Sequence, residues 1–234
     1  MTIGIIVAMR KELDLLLPLL ENVREATNIN GYKFHRGTIG SHQVIAMQCG
    51  IGKVNAAMGT LTLIDRYEPE LLINTGVAGG TDPSMHVLDM LVATSVSYHD
   101  VWCGPETDYG AAAGLGVYMQ AYSPVVKECQ KLFKGNKTVH FGLLCSGDRF
   151  IASEAEVKEI KSHFPEALAT DMEAGAIAQV CILRGVPFNV IRVISDTPGM
   201  EENISQYENF WNDAPQETFN ALRVVLKNLH SVKL

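Results

Sequence analysis

The stretch Ile191-Arg192-Val193-Ile194-Ser195-Asp196-Thr197-Pro198 decides how this chain is read. An apolar, β-branched run ends in Ser-Asp, with a proline two residues on. The pattern predicts a buried strand that delivers an acid to the carboxyl-end rim of a sheet, where open α/β folds bind their ligands. A second segment, Asp171-Met172-Glu173-Ala174-Gly175-Ala176-Ile177-Ala178, sets carboxylates at the mouth of a small-residue helix. A third acid, Glu12, opens the helix after a first strand, Ile3 to Val7. Three such junctions predict one acid-lined pocket.

Outward from these segments the hydrophobic period switches repeatedly between strand and helix. Helices are predicted over Arg10 to Leu20, Val54 to Tyr67, Val125 to Phe133, Ser153 to Phe164, Glu173 to Arg184 and Ala214 to Leu229. Strands are predicted over Leu71 to Asn74, Val87 to Val96, Val139 to Leu144 and Phe188 to Ser195. Lys33 to Ile39 and Gln43 to Gln48 read as a hairpin around Gly40-Ser41-His42. Alternating strands and helices imply an α/β layered fold, a three-layer sandwich around a central mixed, largely parallel sheet. No linker, repeat or composition break divides residues 1–234, so one domain is expected. The irregular stretch from about His99 to Gln120 is the longest, and long loops in compact domains are often functional.

Composition excludes several classes of function. The formal charge is −7 and no basic stripe appears, which disfavours a binder of nucleic-acid backbone. Hydrophobic residues make up 47% of the 234 positions, yet no apolar run approaches a membrane span. The N-terminus has no basic region before Ile3 and runs straight into a charged helix, so it reads as a strand and not a signal peptide. Cys49, Cys103, Cys129, Cys145 and Cys181 are odd in number, scattered, and lack metal-ligand spacing. Most sit in apolar sequence and read as reduced core thiols, which makes a cytoplasmic location the expectation.

Each candidate site also has a purely structural reading. The run Thr75-Gly76-Val77-Ala78-Gly79-Gly80 is expected as a turn after a strand. It either presents backbone amides to a ligand or merely allows positive φ. Gly50-Ile51-Gly52-Lys53 is open to the same two readings. His99-Asp100 resembles a catalytic dyad on paper, but neighbours on a strand point to opposite faces, which favours a structural or interface histidine. Glu12 alone could complement a helix dipole, and Asp196 alone could cap a helix.

Six stretches taken together resemble a known family. They are Ala8-Met9-Arg10-Lys11-Glu12, Cys49-Gly50-Ile51-Gly52-Lys53-Val54-Asn55-Ala56-Ala57 and Ile73-Asn74-Thr75-Gly76-Val77-Ala78-Gly79-Gly80. Ser146-Gly147-Asp148-Arg149-Phe150-Ile151, Asp171-Met172-Glu173-Ala174 and Ile194-Ser195-Asp196 follow. In this order they resemble the bacterial 5′-methylthioadenosine/S-adenosylhomocysteine nucleosidases, over residues 3 to about 225.

The resemblance implies a nucleoside phosphorylase/hydrolase-like fold and hydrolysis of the N-glycosidic bond of 5′-thioadenosines. Asp196 matches the family's general acid at adenine N7, and Glu12 the group that activates water at C1′. Glu173 matches the acid that accepts the ribose hydroxyls, with Met172 along the sugar and Asp171 beside it. Phe150 matches the ring stacked on adenine, and Ile151 the backbone that reads the base edge. Ser195 would steady Asp196. Met9, Tyr207 and Phe210 would line the 5′-substituent pocket, and Ile51, Val77, Ala78 and Gly79 complete the expected substrate contacts. No metal or organic cofactor is implied.

Some positions depart from the pattern. Val77 and Cys49 stand where serine is common, and Asp171 where glutamate is common. The segment after His99-Asp100 also differs. In the family that loop covers the neighbouring subunit's pocket, which assigns Val101 and Trp102 to a partner's site. The apolar run from Val87 to Val96 adds to the expectation of a homodimer. The alternatives are a phosphate-dependent purine nucleoside phosphorylase, a 6-amino-6-deoxyfutalosine hydrolase and a non-catalytic nucleoside-binding protein. A phosphorylase needs converging cations for a phosphate dianion, and the run from Thr75 to Gly80 offers none.

Overall fold

The computed structural model describes residues 1–112, 114–200, 202–213 and 219–229. Its first strand, β1 (Thr2–Val7), sits inside a mixed sheet and explains the layering. Ile3, Ile5 and Val7 enter one apolar cluster, while Ile6 enters the other, as the two-residue strand period requires. Both faces are covered, so the strand is apolar throughout. Each such fully buried aliphatic side chain contributes roughly 1.5–3 kcal/mol.

The chain continues through α1 (Arg10–Leu16), β2 (Glu21–Ile29), β3 (Tyr32–Ile39), β4 (His42–Gln48), α2 (Lys53–Tyr67) and β5 (Leu71–Gly80). Next come β6 (Met90–Tyr98), β7 (Met119–Gln120), α3 (Ser123–Leu132), β8 (Val139–Ser146) and α4 (Glu154–His163). It ends with β9 (Ala167–Asp171), α5 (Ala174–Arg184), β10 (Phe188–Asp196), α6 (Asn203–Asp213) and α7 (Asn220–Asn228). Helices α2 and α5 contribute to the cluster on one face; α1, α3 and α7 contribute to the cluster on the other. No described helix is long and apolar enough to cross a membrane.

Strand β5 organises the sheet. It pairs parallel with β1 over Leu71 to Asn74 and parallel with β10 from Leu72 to Gly79. At Gly79 and Gly80 it turns to antiparallel pairing with β9. The path β5-β10-β6-β8-β9 therefore returns to β5 and the sheet curls closed at that end, while β1, β4, β3 and β2 extend it as an open wing.

Several expected elements change. The helix from Arg10 stops at Leu16, because Pro18 opens a short 3-10 turn instead. The expected turn at Thr75 to Gly80 is strand, since both edges of β5 find partners there. The apolar run up to Val96 is a central strand between β10 and β8, so its apolarity belongs to the core and marks no exposed edge. Strands β2, β7 and β9 and helix α6 are additional. Edge strand β2 is largely solvent-exposed and carries little apolar alternation to detect. Of the expected helix over Ala214 to Leu229, residues 214–218 lie outside the described residues. Four of the five free cysteines are buried, and Cys103 is exposed.

Candidate active site

Glu12 is the third residue of α1 and folds back over the strand that precedes it. Its Oε2 accepts from the amides of Ala8 (2.9 Å) and Met9 (2.8 Å). Its Oε1 accepts from the Val77 amide on β5 at 3.0 Å. Burial raises its pKa above the usual carboxylate value, opposed by the nearby Arg192 and these three amides. The approach of Glu12 to β5 requires Gly76, which sits at φ +146° directly against the carboxyl group.

Two more acids meet at the end of β9. Asp171 accepts from the amide of Ala174, the first residue of α5, at 3.0 Å. Its Oδ2 also pairs with Arg192, a fully buried guanidinium on β10 that donates to Asn74 Oδ1 at 2.6 Å. Glu173 accepts from the Gly52 amide at 2.9 Å, at the positive end of α2. Burial, reinforced by the neighbouring Asp171 charge, pushes Glu173 well above the usual carboxylate range.

Asp196 closes the set at the last residue of β10. Ser195 donates its hydroxyl to Asp196 Oδ1 at 2.6 Å. Burial pushes Asp196 up to about 6, despite that hydrogen bond. A carboxyl group that titrates near neutrality can both hold and release a proton.

These acids line one pocket of about 620 Å³, a figure that includes its open mouth. Most of the assigned site residues converge there: Met9, Glu12, Ile51, Val77, Ala78, Gly79, Phe150, Ile151, Asp171, Met172, Glu173, Ser195, Asp196 and Tyr207. Tyr207 on α6 stands edge-on to Phe150 (5.5 Å between centroids) and donates to Met9 Sδ at 3.4 Å. The three side chains form an apolar wall.

One expectation changes. Phe210 is buried edge-on against Trp211 and does not line the pocket. Val101 packs against the core and Trp102 is 59% exposed; neither lines this chain's own pocket, and their assignment was to the pocket of a partner subunit. His99 and Asp100 stand outside the pocket: Tyr109 donates to the His99 carbonyl, and Asp100 pairs with Lys53 at 2.7 Å while accepting from the Asp148 amide.

Ala8, Arg149 and Thr170 also line the pocket, though sequence reading gave them no role there; Arg192, a strand residue within reach of the site, is buried against Asp171. Arg192 had a legible signal. A charge inside an otherwise apolar strand needs a buried partner, and the acids at 171 and 173 are the candidates.

The sheet and the acid-lined pocket define the class first: the phosphorylase superfamily pattern matches residues 2–227. A 5′-methylthioadenosine/S-adenosylhomocysteine nucleosidase of Exiguobacterium sp. is 40% identical over 98% of this chain and 99% of its own. The nucleosidase of the same name from Halalkalibacterium halodurans is 41% identical over 97% and 98%. Among solved structures, the S. pneumoniae nucleosidase with the transition-state inhibitor MT-ImmA superposes with a TM-score of 0.93. It shares 36% identity, with 98% of this chain and 100% of the other covered. The Colwellia psychrerythraea nucleosidase in complex with adenine gives 0.87 at 33% identity, covering 97% and 93%. The chain belongs to the phosphorylase superfamily and, within it, to the 5′-methylthioadenosine/S-adenosylhomocysteine nucleosidase family.

Proposed function

We propose that this enzyme hydrolyses the N-glycosidic bond of 5′-methylthioadenosine and S-adenosylhomocysteine, and also of 5′-deoxyadenosine, releasing adenine and the 5′-substituted ribose. The observation that carries the reading is the pairing in one pocket of Glu12, held by three amides, with Asp196, a buried acid that titrates near neutrality.

In this reading Asp196 donates its proton to adenine N7 as the C1′–N9 bond breaks and its electron pair passes to the purine. Ser195 occupies Oδ1, which leaves Oδ2 to carry that proton. Water attacks C1′ and gives its proton to Glu12, whose Oε1 keeps acceptor capacity beyond the Val77 amide. Two carboxyl groups, one acid and one base, are the same division of labour as in an inverting glycosidase. Glu173 accepts the ribose hydroxyls, Met172 lies along the sugar and Phe150 stacks on the base. Met9 and Tyr207, the rest of that apolar wall, take the 5′-thio group.

Water is favoured over phosphate as the nucleophile by where the cations stand. Arg192 is engaged by Asn74 and Asp171, and Arg149 by Glu156 at 2.7 Å. A phosphate dianion beside C1′ would also meet Glu12 in a low-dielectric site. The test is adenine release from methylthioadenosine in phosphate-free buffer. Turnover without phosphate is expected; strict dependence on added phosphate would make the chain a phosphorylase.

We further read residues 1–234 as one domain of a cytoplasmic enzyme, consistent with five free cysteines. A homodimer is supported by Val54, Met58 and Leu61, three exposed side chains spaced along one face of α2. Ile182 and Leu183 on α5, which packs against α2, and Trp102 are further exposed apolar side chains.

A further inference from the structure

Among the described residues, one buried carboxylate lies outside the pocket. Asp89, immediately before β6, accepts at Oδ2 from the His86 amide at 2.9 Å. The same oxygen lies at hydrogen-bond distance from two imidazoles, 3.2 Å from His86 Nδ1 and 3.1 Å from His140 Nε2. His140 belongs to β8, so one carboxylate ties that strand to the turn at 86–89.

The turn is strained, because Leu88 holds φ +75°, a left-handed conformation that disfavours a branched side chain. What it gains is a grip on β10. The Leu88 amide donates to the Ile194 carbonyl and the Ile194 amide donates to the Asp89 carbonyl, both at 2.9 Å. Ile194 is where β10 changes register against β5. Ile194 pairs with Ala78, but Asp196 pairs with Gly79, which leaves Ser195 as the extra residue of a bulge. A bulge bends its strand and re-aims the side chains beside it. The grip therefore falls on the last regular residue before the bulge that points Asp196 into the pocket.

We propose that Asp89 is a positioning residue for Asp196. Its carboxylate holds the strained 86–89 turn closed, the turn fixes Ile194, and the fixed strand end sets where the acid stands. The proposal rests on the reading of Asp196 as the general acid. Its signature is selective. The groups read as holding sugar and base, Glu173, Met172 and Phe150, lie on other segments, so loosening the end of β10 lowers kcat while KM changes little. A displacement of about 1 Å at a reacting group costs on the order of 10²-fold.

The experiment measures kcat, KM for methylthioadenosine and thermal midpoint for Asp89→Asn and His140→Ala, with Asp196→Asn as control. The expected result is a fall in kcat of about tenfold to a hundredfold for Asp89→Asn with KM within about threefold. His140→Ala, which removes one donor only, gives a smaller fall in the same direction and decides the matter alone if Asp89→Asn is insoluble. Wild-type kcat with a lowered midpoint would make the carboxylate merely structural and overturn the proposal. Proportional changes in kcat and KM would do the same. If Asp196→Asn itself kept its turnover, the assignment of the acid would fail first.

Discussion

A Cβ placed on Gly76 would stand 2.8 Å from the carboxyl carbon of Glu12, with Oε1 closer still, so this glycine is the space in which the glutamate sits. The backbone reinforces the requirement, because φ +146° at Gly76 is a conformation that L side chains rarely adopt. The two residues are distant in sequence, and the Val77 amide that follows Gly76 is one of the three donors holding Glu12.

Gly76→Ala is accordingly expected to displace Glu12 and remove most activity, at least a hundredfold by the scale of a misplaced catalytic group, roughly 10² per 1 Å. Turnover of methylthioadenosine by the folded variant checks this. Activity within a few-fold of the parent would mean that Glu12 can move without consequence.

Asp196→Asn keeps the shape of the acid but has no carboxyl proton to donate. General acid catalysis contributes about 10²–10⁴-fold, so kcat should fall by at least that lower bound while nucleoside still binds. Steady-state rates paired with calorimetric binding separate the two effects. Retention of more than about a tenth of the turnover would show that another group protonates the base.

The same substitution should stabilise the protein, and only where Asp196 is charged. Its folded value is pushed up from 3.8 to about 6, so the folded state holds this proton more tightly than the unfolded chain. That contribution is complete below the unfolded value and is lost as pH rises through about 6. Above that range the buried charge costs at most about 3 kcal/mol, given about 1.4 kcal/mol per tenfold change in proton affinity. Urea unfolding of Asp196→Asn should show its gain at pH 8, shrinking toward pH 4. A gain independent of pH would contradict the linkage.

The exposed apolar face of α2 and α5 predicts assembly. Met58 is 57% and Leu183 68% exposed, and burying such side chains against a second copy gives roughly 1.5–3 kcal/mol each. Sedimentation should find a dimer at micromolar concentration, and Met58→Glu with Leu183→Asp should shift it toward monomer. A fully active monomer of the parent protein would refute the assignment.

Much of the site was legible because its acids stand where the hydrophobic period breaks. Asp196 ends a buried run, Glu173 precedes a small-residue helix, and Glu12 follows the first strand; a carboxylate at such a boundary has an apolar neighbourhood and a rim to face. Phe150, Met172 and Tyr207 came from motif resemblance, and the structure gathers them at the same pocket. Phe210, three residues after Tyr207, turns instead to Trp211 and the core. One helical turn separates lining from packing, and which side faces the pocket depends on how α6 docks against β10.

The sequence by itself determined the alternation of strands and helices, the buried character of β1 and β10, and the acids offered at the strand ends. These follow from local periodicity and from the cost of burying charge. Tertiary structure alone decided which groups hold those acids: Val77 for Glu12, Gly52 for Glu173, and Arg192 for Asp171. It also decided that Thr75 to Gly80 is a strand and that β9 closes the sheet against it. Each of these partners is more than twenty residues along the chain from its acid, or is a backbone group that every residue carries. Local composition cannot specify such pairings, because they arise only when the folded sheet brings donors and acceptors into register.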